Sequence, residues 1–520
     1  MILFGVGLSI VVVVAVGFLV ARKVGGDSSN FLVAGRALSL PLVGAALMGQ
    51  AVDTNATLGN TDLAFEFGFW AGAALPLGLA LCLTLTGIFF AKPMNRMGLT
   101  TFPDYFRLRF GRRSEVASSV LLVVAFSILV AGNLVAGGYL FNYFLGVPYW
   151  LGVVAIAVIV VAYTGAGGMI ADAYTAIIQM SLILVGAVAT LIWVTVAYGL
   201  TIPEGMGPFD LGQLTDPAQG ATVNWATLIA LGIGDIVAID FMQRVFAAKN
   251  PETARRACFV GAGGAAAVGI PFALIALAST AILPADTEGP VLFTLLDQYA
   301  PAVLTMLVLA GIVGASMSTA NGAILATASV TVRNLGGVRR VHIAGAPDPL
   351  LRATRLMMLP VTIIAIVFAL YVRQTGILLT LAFDLLLACL IVPFVLGLVW
   401  RRGGGQAALA AMVVGLVVRL VLFVLTPTMF GVENSILYIE NDLIDASFDG
   451  WPTMIAFLAS LLTYLAVALM TPASPLRGLD IRVADDLDDA LDEVAARIEH
   501  GDFATADAAQ TDQPSKTPTA

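Results

Sequence analysis

Thirteen predominantly apolar stretches succeed one another along the chain, at 2–21, 38–60, 69–91, 116–145, 149–166, 169–199, 222–247, 257–283, 301–332, 350–372, 376–400, 406–427 and 450–470. A helix that crosses a hydrocarbon core needs about 20 such residues. The pattern therefore predicts an all-α integral membrane protein with 13 transmembrane helices. Residues 1–21 lack a basic leading segment and a small-residue cleavage site, and Arg22 and Lys23 follow directly. They are read as a retained first transmembrane helix and not as a signal peptide. Residues 101–110 (TFPDYFRLRF) alternate aromatic and basic groups, which predicts a short helix lying at the membrane interface.

Composition strengthens this reading. Hydrophobic residues make up 59% of the 520, charged residues 12%, and mean hydropathy is +0.94. A water-soluble surface needs roughly 25% charged residues. Cys82, Cys258 and Cys389 sit in or beside apolar runs and share no metal-ligand spacing with His342 or His500. The net charge of −8 is concentrated at one end, because residues 471–520 hold eleven acids against four bases. That segment is an acidic appendage, amphipathic over 484–500 and of disordered composition beyond Gly501. No basic patch points to nucleic acid.

Charge between the spans sets an orientation. Bases cluster after the first, third, seventh, ninth and eleventh stretches, as in Lys92, Arg96, Arg107, Arg109, Arg112 and Arg113 after the third. The loops after the sixth, eighth and twelfth are acidic, with Asp286 and Glu288 after the eighth. Basic loops face the cytoplasm. The expectation is a multi-pass cell-membrane protein with its amino terminus outside and its acidic tail cytoplasmic.

Polar groups inside spans are costly and mark a pathway or a site. The second stretch carries Gln50, Asp53, Thr54, Asn55, Thr57, Asn60 and Thr61 near its centre. These predict an interrupted helix whose freed carbonyls and side-chain oxygens line a cavity. The seventh stretch is broken in the same way by Gly232, Gly234 and Asp235, with Asp240 five residues on. Asp240 either faces the cavity or pairs with Arg244 at i, i+4. Two interrupted helices five spans apart predict an inverted-repeat transporter, with 38–199 and 222–400 as the two repeats of a 38–400 core and 406–470 as two added helices. In the ninth stretch, Ala315, Ser318, Thr319 and Gly322 share one helical face. Hydroxyls and freed carbonyls form an all-oxygen site suited to Na⁺. Asp384 and Arg419 in adjacent spans are expected to form a structural ion pair. Asp172, at the start of the sixth stretch, reads as an acid favoured at a helix N-terminus near the surface.

FLVAGRALS (31–39), AKPMNRMGLTTFPDYFRLRFG, AYTGAGGMIADAYTAIIQM, DFMQRVFAAKNPETARRA and GASMSTANGAILATAS occur in that order over about residues 30–400. This combination resembles the sodium/solute symporter family, nearest to its choline and proline branches. The resemblance implies a LeuT-type inverted-repeat fold and a Na⁺ site of backbone oxygens at Ala51 and Thr54 with Ala315, Ser318 and Thr319. Asp53 matches an acid that serves Na⁺ in the proline branch. The family often has Thr-Asp before the glutamine of the sixth span, where this chain has Thr175-Ala176, so a second Na⁺ is not expected unless Asp172 substitutes for that acid. Choline transporters place tryptophans where this chain has Ala51 and Ala238. Quaternary ammonium groups call for an aromatic cage.

The function expected is a Na⁺-coupled symporter importing a small polar solute, with an amino acid or amine osmolyte favoured. Gln50, Asp53, Asn55, Asp235 and Asp240 are its candidate substrate-binding residues. The alternative is a transceptor of the same fold that signals through the tail. An enzyme is not expected, since neither histidine lies in a span and no catalytic cluster is visible. The partners are the solute, Na⁺ and the lipid bilayer; oligomeric state is not specified.

Overall fold

A computed structural model describes residues 2–285, 287, 289–340, 348–373, 375–473 and 477–481. The molecule is helical, and strand is confined, among the described residues, to a two-residue hairpin pairing Thr428–Met429 with Val432–Glu433. Nine of the described helices are long and apolar enough to cross a membrane. Two bent pairs raise that to as many as eleven: Ala221–Val237 with Ile239–Ala247 at 47°, and Ile377–Cys389 with Ile391–Val399 at 45°.

The longest helix, Tyr149–Ala197, spans 49 residues and is interrupted at Gly168, where φ is 51° and ψ is −139°. This is backbone that only glycine adopts freely. A Cβ there would also strike the backbone oxygen of Phe31. Helix Ala302–Val330 runs through the middle and packs against Tyr149–Ala197, Arg112–Leu145, Leu40–Ala51 and the first helix. Its small residues allow this close approach: a Cβ on Gly311 would come within 2.7 Å of the Ile183 Cα.

The segment 101–110 contains the short helix that its alternation suggested, and that helix is covered by the rest of the protein. Helix Pro103–Phe110 is embedded, with Tyr105, Phe106 and Phe110 buried and the Phe102 and Tyr105 rings 5.1 and 5.3 Å from Phe394. Its charges find partners inside. Arg109 donates to the carbonyls of Gly397 and Trp400, at 3.0 and 3.1 Å. Asp104 pairs with Arg333 at 3.1 Å and accepts from Asn334 at 2.9 Å. Burial pushes the Asp104 carboxyl up, but the Arg333 and Arg339 charges outweigh it and hold the group below the usual carboxylate range. An arginine that reaches carbonyl oxygens does not need the surface.

Asp384 and Arg419 form a buried ion pair. The short turn Gly478–Asp480 packs against Leu398 and Tyr105. Asp286, Glu288, His342, the amphipathic 484–500 stretch and the tail acids beyond Asp480 lie outside the described residues.

Candidate functional site

Helix Leu40–Ala51 stops at Val52, whose φ and ψ are −102° and 79°; a wide π-type turn over Asn55–Gly59 follows, then helix Asn60–Phe67. A helix that stops inside the protein leaves its last carbonyls without amide partners. Asp53 sits in the gap, fully buried. Its carboxylate accepts from the Ala56 backbone N–H at 2.8 Å, the Asn133 side chain at 3.1 Å and the Asn55 side chain at 2.5 Å. The Asn133 side-chain oxygen in turn accepts from the Thr54 backbone and hydroxyl, at 3.5 and 3.4 Å. Helix Ala302–Val330 joins this cluster through Ser316, which donates to the Asn133 carbonyl at 2.7 Å.

The ninth-stretch face meets the end of helix Leu40–Ala51. Thr319 donates to the Gly49 carbonyl at 2.8 Å, and Gln50 donates to the Ser318 carbonyl at 2.9 Å. Ala51, Thr54, Ala315, Ser318 and Thr319 are all fully buried. The Ser318 hydroxyl has no hydrogen-bond partner among the described residues, nor has the Gln50 side-chain oxygen. A Cβ on Gly49 would come within 2.5 Å of that hydroxyl. An oxygen kept free in such a place suits a ligand that accepts lone pairs.

The seventh stretch breaks differently. Helix Ala221–Ile229 loosens into a π turn over Ala230–Gly234 and a 3₁₀ turn over Asp235–Val237. Ala238 is extended, with ψ 127°, and helix Ile239–Ala247 then restarts at a new angle. Asp235 is buried, and neither of its carboxylate oxygens has a hydrogen-bond partner among the described residues. Asp240 is buried as well, and its carboxylate accepts the Phe241 N–H at 2.7 Å.

Arg244 reaches only the backbone carbonyl of Asp240, at 2.9 Å. Its ion-pair partner is Asp172, at 2.6 Å, with both side chains fully buried. Asn321 completes this bridge by donating to Asp172 at 3.3 Å. Asp172 is thus four residues past the Gly168 kink and deep in the protein, not at a surface helix end as its position in the sixth stretch suggested. Asn133 was absent from the sequence-derived candidates, although an isolated amide in the run LVAGNLVAGG is a usable signal.

A bundle of spanning helices with two broken elements around buried acids and a free hydroxyl has the build of a membrane transporter. A profile of the sodium:solute symporter family matches residues 31–415, and the chain belongs to that family. It is a Na⁺-coupled solute symporter. The chain is 26% identical over 447 residues to the high-affinity choline transporter 1 of Caenorhabditis elegans, covering 79% of this chain and 76% of that one. It is 26% identical over 475 residues to the high-affinity proline transporter PutP of Bacillus subtilis (strain 168), covering 87% and 95%. A Na⁺-coupled sialic acid symporter, solved substrate-bound and outward-open, superposes with a TM-score of 0.71 at 17% identity, over 91% of this chain and 99% of that one. That likeness is one of fold.

Proposed function

We propose that the chain imports an amino acid or amine osmolyte across the cell membrane through 13 spans. Nine are the long helices, and a tenth follows from cutting the 49-residue helix at Gly168. As one rod that helix would be about 74 Å long, more than twice a hydrocarbon core of about 30 Å. The two bent pairs and the pair Leu40–Ala51 with Asn60–Phe67 supply the remaining three. In this reading the second and seventh spans are interrupted and belong to repeats 38–199 and 222–400. The amino terminus is outside and the carboxy terminus cytoplasmic, as the loop charges argue.

Na⁺ would be held between the end of helix Leu40–Ala51 and the ninth span, by backbone oxygens of Ala51, Thr54 and Ala315 and the hydroxyls of Ser318 and Thr319, with Asp53 lending its charge from the gap. The observation that carries this is the buried, unpartnered Ser318 hydroxyl beside the helix end. Solute would bind among Gln50, Asp53, Asn55, Asp235 and Asp240. Choline itself is disfavoured, because Ala51 and Ala238 leave no aromatic cage at those two positions. The test is uptake of labelled amino acids and amines into proteoliposomes. An inward Na⁺ gradient should drive accumulation above equilibrium, and equal uptake under K⁺ would refute the reading.

A further inference from the structure

Four acids surround the two breaks, and they differ in what neutralises them. Asp172 has Arg244 and Asn321. Asp53 has three neutral donors. Asp240 has one backbone N–H and the charge of Arg244 close by. Asp235 has only the Cys82 thiol, a weak donor, and no N–H among the described residues. The ionisable groups that act on Asp235 are Asp240 and Asp53, with the Cys82 thiol beside it, and none of these is a cation. A buried carboxylate with one weak thiol donor and no counter-charge is expensive, and the cost is removed by a positive group that brings its own N–H bonds.

A second region points the same way. A cavity of about 540 Å³ has Leu58 and Gly59 of the wide turn in its wall, with Asp62 and Glu66 beside them. These acids are four residues apart on helix Asn60–Phe67, hence on one face. The cavity's basic residue, Arg373, lies over the Tyr149 ring at 4.7 Å. Acids therefore line the cavity next to the first break and lie buried at the second. With Asp62, Glu66 and Arg373 the cavity wall has a formal net charge of −1, which favours a cation.

We propose that the transported solute is an organic cation carrying at least one N–H, a primary to tertiary ammonium or a guanidinium, which passes Asp62 and Glu66 and docks on Asp235. This sharpens the substrate class of the symporter reading and rests on it for the location of the pathway. A quaternary ammonium has no N–H to donate to the Asp235 oxygens, and an anion with no ammonium or guanidinium group would meet like charge.

The test uses purified full-length protein and minimal probes: methylammonium, methylguanidinium, tetramethylammonium and acetate, each titrated in NaCl and in KCl while the thermal midpoint is followed. A ligand that binds only the folded state raises that midpoint. At least one N–H cation should stabilise the protein, and tetramethylammonium and acetate should not. Asp235→Asn should weaken apparent affinity for that cation about 10–100-fold, the worth of a charged hydrogen bond. The stabilisation by Na⁺ alone should be preserved. No stabilisation of the wild type by either N–H cation, equal stabilisation by tetramethylammonium, or unchanged affinity in Asp235→Asn overturns the proposal. Should Asp235→Asn not fold, Asp235→Glu decides: its longer side chain narrows the gap and should shift preference from methylguanidinium toward methylammonium, and an unchanged ratio refutes the docking. Loss of Na⁺ stabilisation in the wild type would count against the Na⁺ reading alone, since the KCl titrations still report on Asp235.

Discussion

The two helix breaks are built from similar materials and finished differently. In the first, Asp53 is surrounded by donors, and Asn133 ties Asp53, Thr54 and Ser316 into one cluster. In the second, Asp235 has only the Cys82 thiol beside it, while the next helix is clamped from outside the break by Asp172 and Arg244. At the first break the acid is satisfied by its neighbours and the oxygens left free, such as those of Ser318 and Gln50, are neutral, whereas at the second the acid itself is short of donors. On the proposed reading the ion is held at the first break, and the solute reaches across both with its charged group at the second.

The largest test of this contrast removes the clamp. Arg244→Leu strands the buried Asp172 carboxylate and should cost about 3–5 kcal/mol of stability. Asp240→Asn should cost under about 1 kcal/mol, because the amide oxygen can still accept the Phe241 N–H and only a charge at a helix start is lost. Equal losses in thermal unfolding would mean that Asp240, not Asp172, is the true partner. Next, Asn133→Ala unties the first break: two or more hydrogen bonds are lost, about 1–3 kcal/mol, and the Na⁺ dependence of uptake should weaken with it. A fall in solute affinity at saturating Na⁺ would blur the division of labour between the breaks. Ser318→Ala and Thr319→Ala should each raise the Na⁺ half-saturation of uptake by roughly 5–10-fold with little change in expression, the effect of one lost oxygen ligand. If both retain the wild-type value, Na⁺ is held elsewhere. The smallest effect is expected from truncation after Ile481, which should leave uptake unchanged; loss in a correctly inserted protein would give the tail a role in transport.

The sequence made the spans and the polar density of 50–61 legible, because the energy scale of membrane insertion is large compared with local preference. It was less informative about where the seventh stretch turns. Gly232, Gly234 and Asp235 drew attention, yet the extended residue is Ala238, which carries no conformational signature of its own. Pairings between distant spans were hidden for another reason. Asp172 and Arg244 are 72 residues apart, and periodicity says which face a residue occupies but not which helix meets it. The i, i+4 rule accordingly offered Asp240 as one partner and could not see the one that tertiary packing supplies. The short helix Pro103–Phe110 was legible from its alternation, but its burial within the protein was not, because aromatic and basic residues suit an exposed edge and a satisfied interior equally well.

The kink at Gly168 bears on how the protein is made. With the chain arranged as proposed, the fifth and sixth spans have no loop between them, so the insertion machinery meets a 49-residue, largely apolar segment in which Gly168 is the instruction to turn back. Nothing polar needs to be left at the bilayer surface for the reversal, and the two arms must emerge and settle together as one hairpin. A side chain at that position would strike the Phe31 backbone in the finished fold. It would also act earlier, during synthesis, by favouring a straight helix over the turn and so putting at risk the placement of every span that follows.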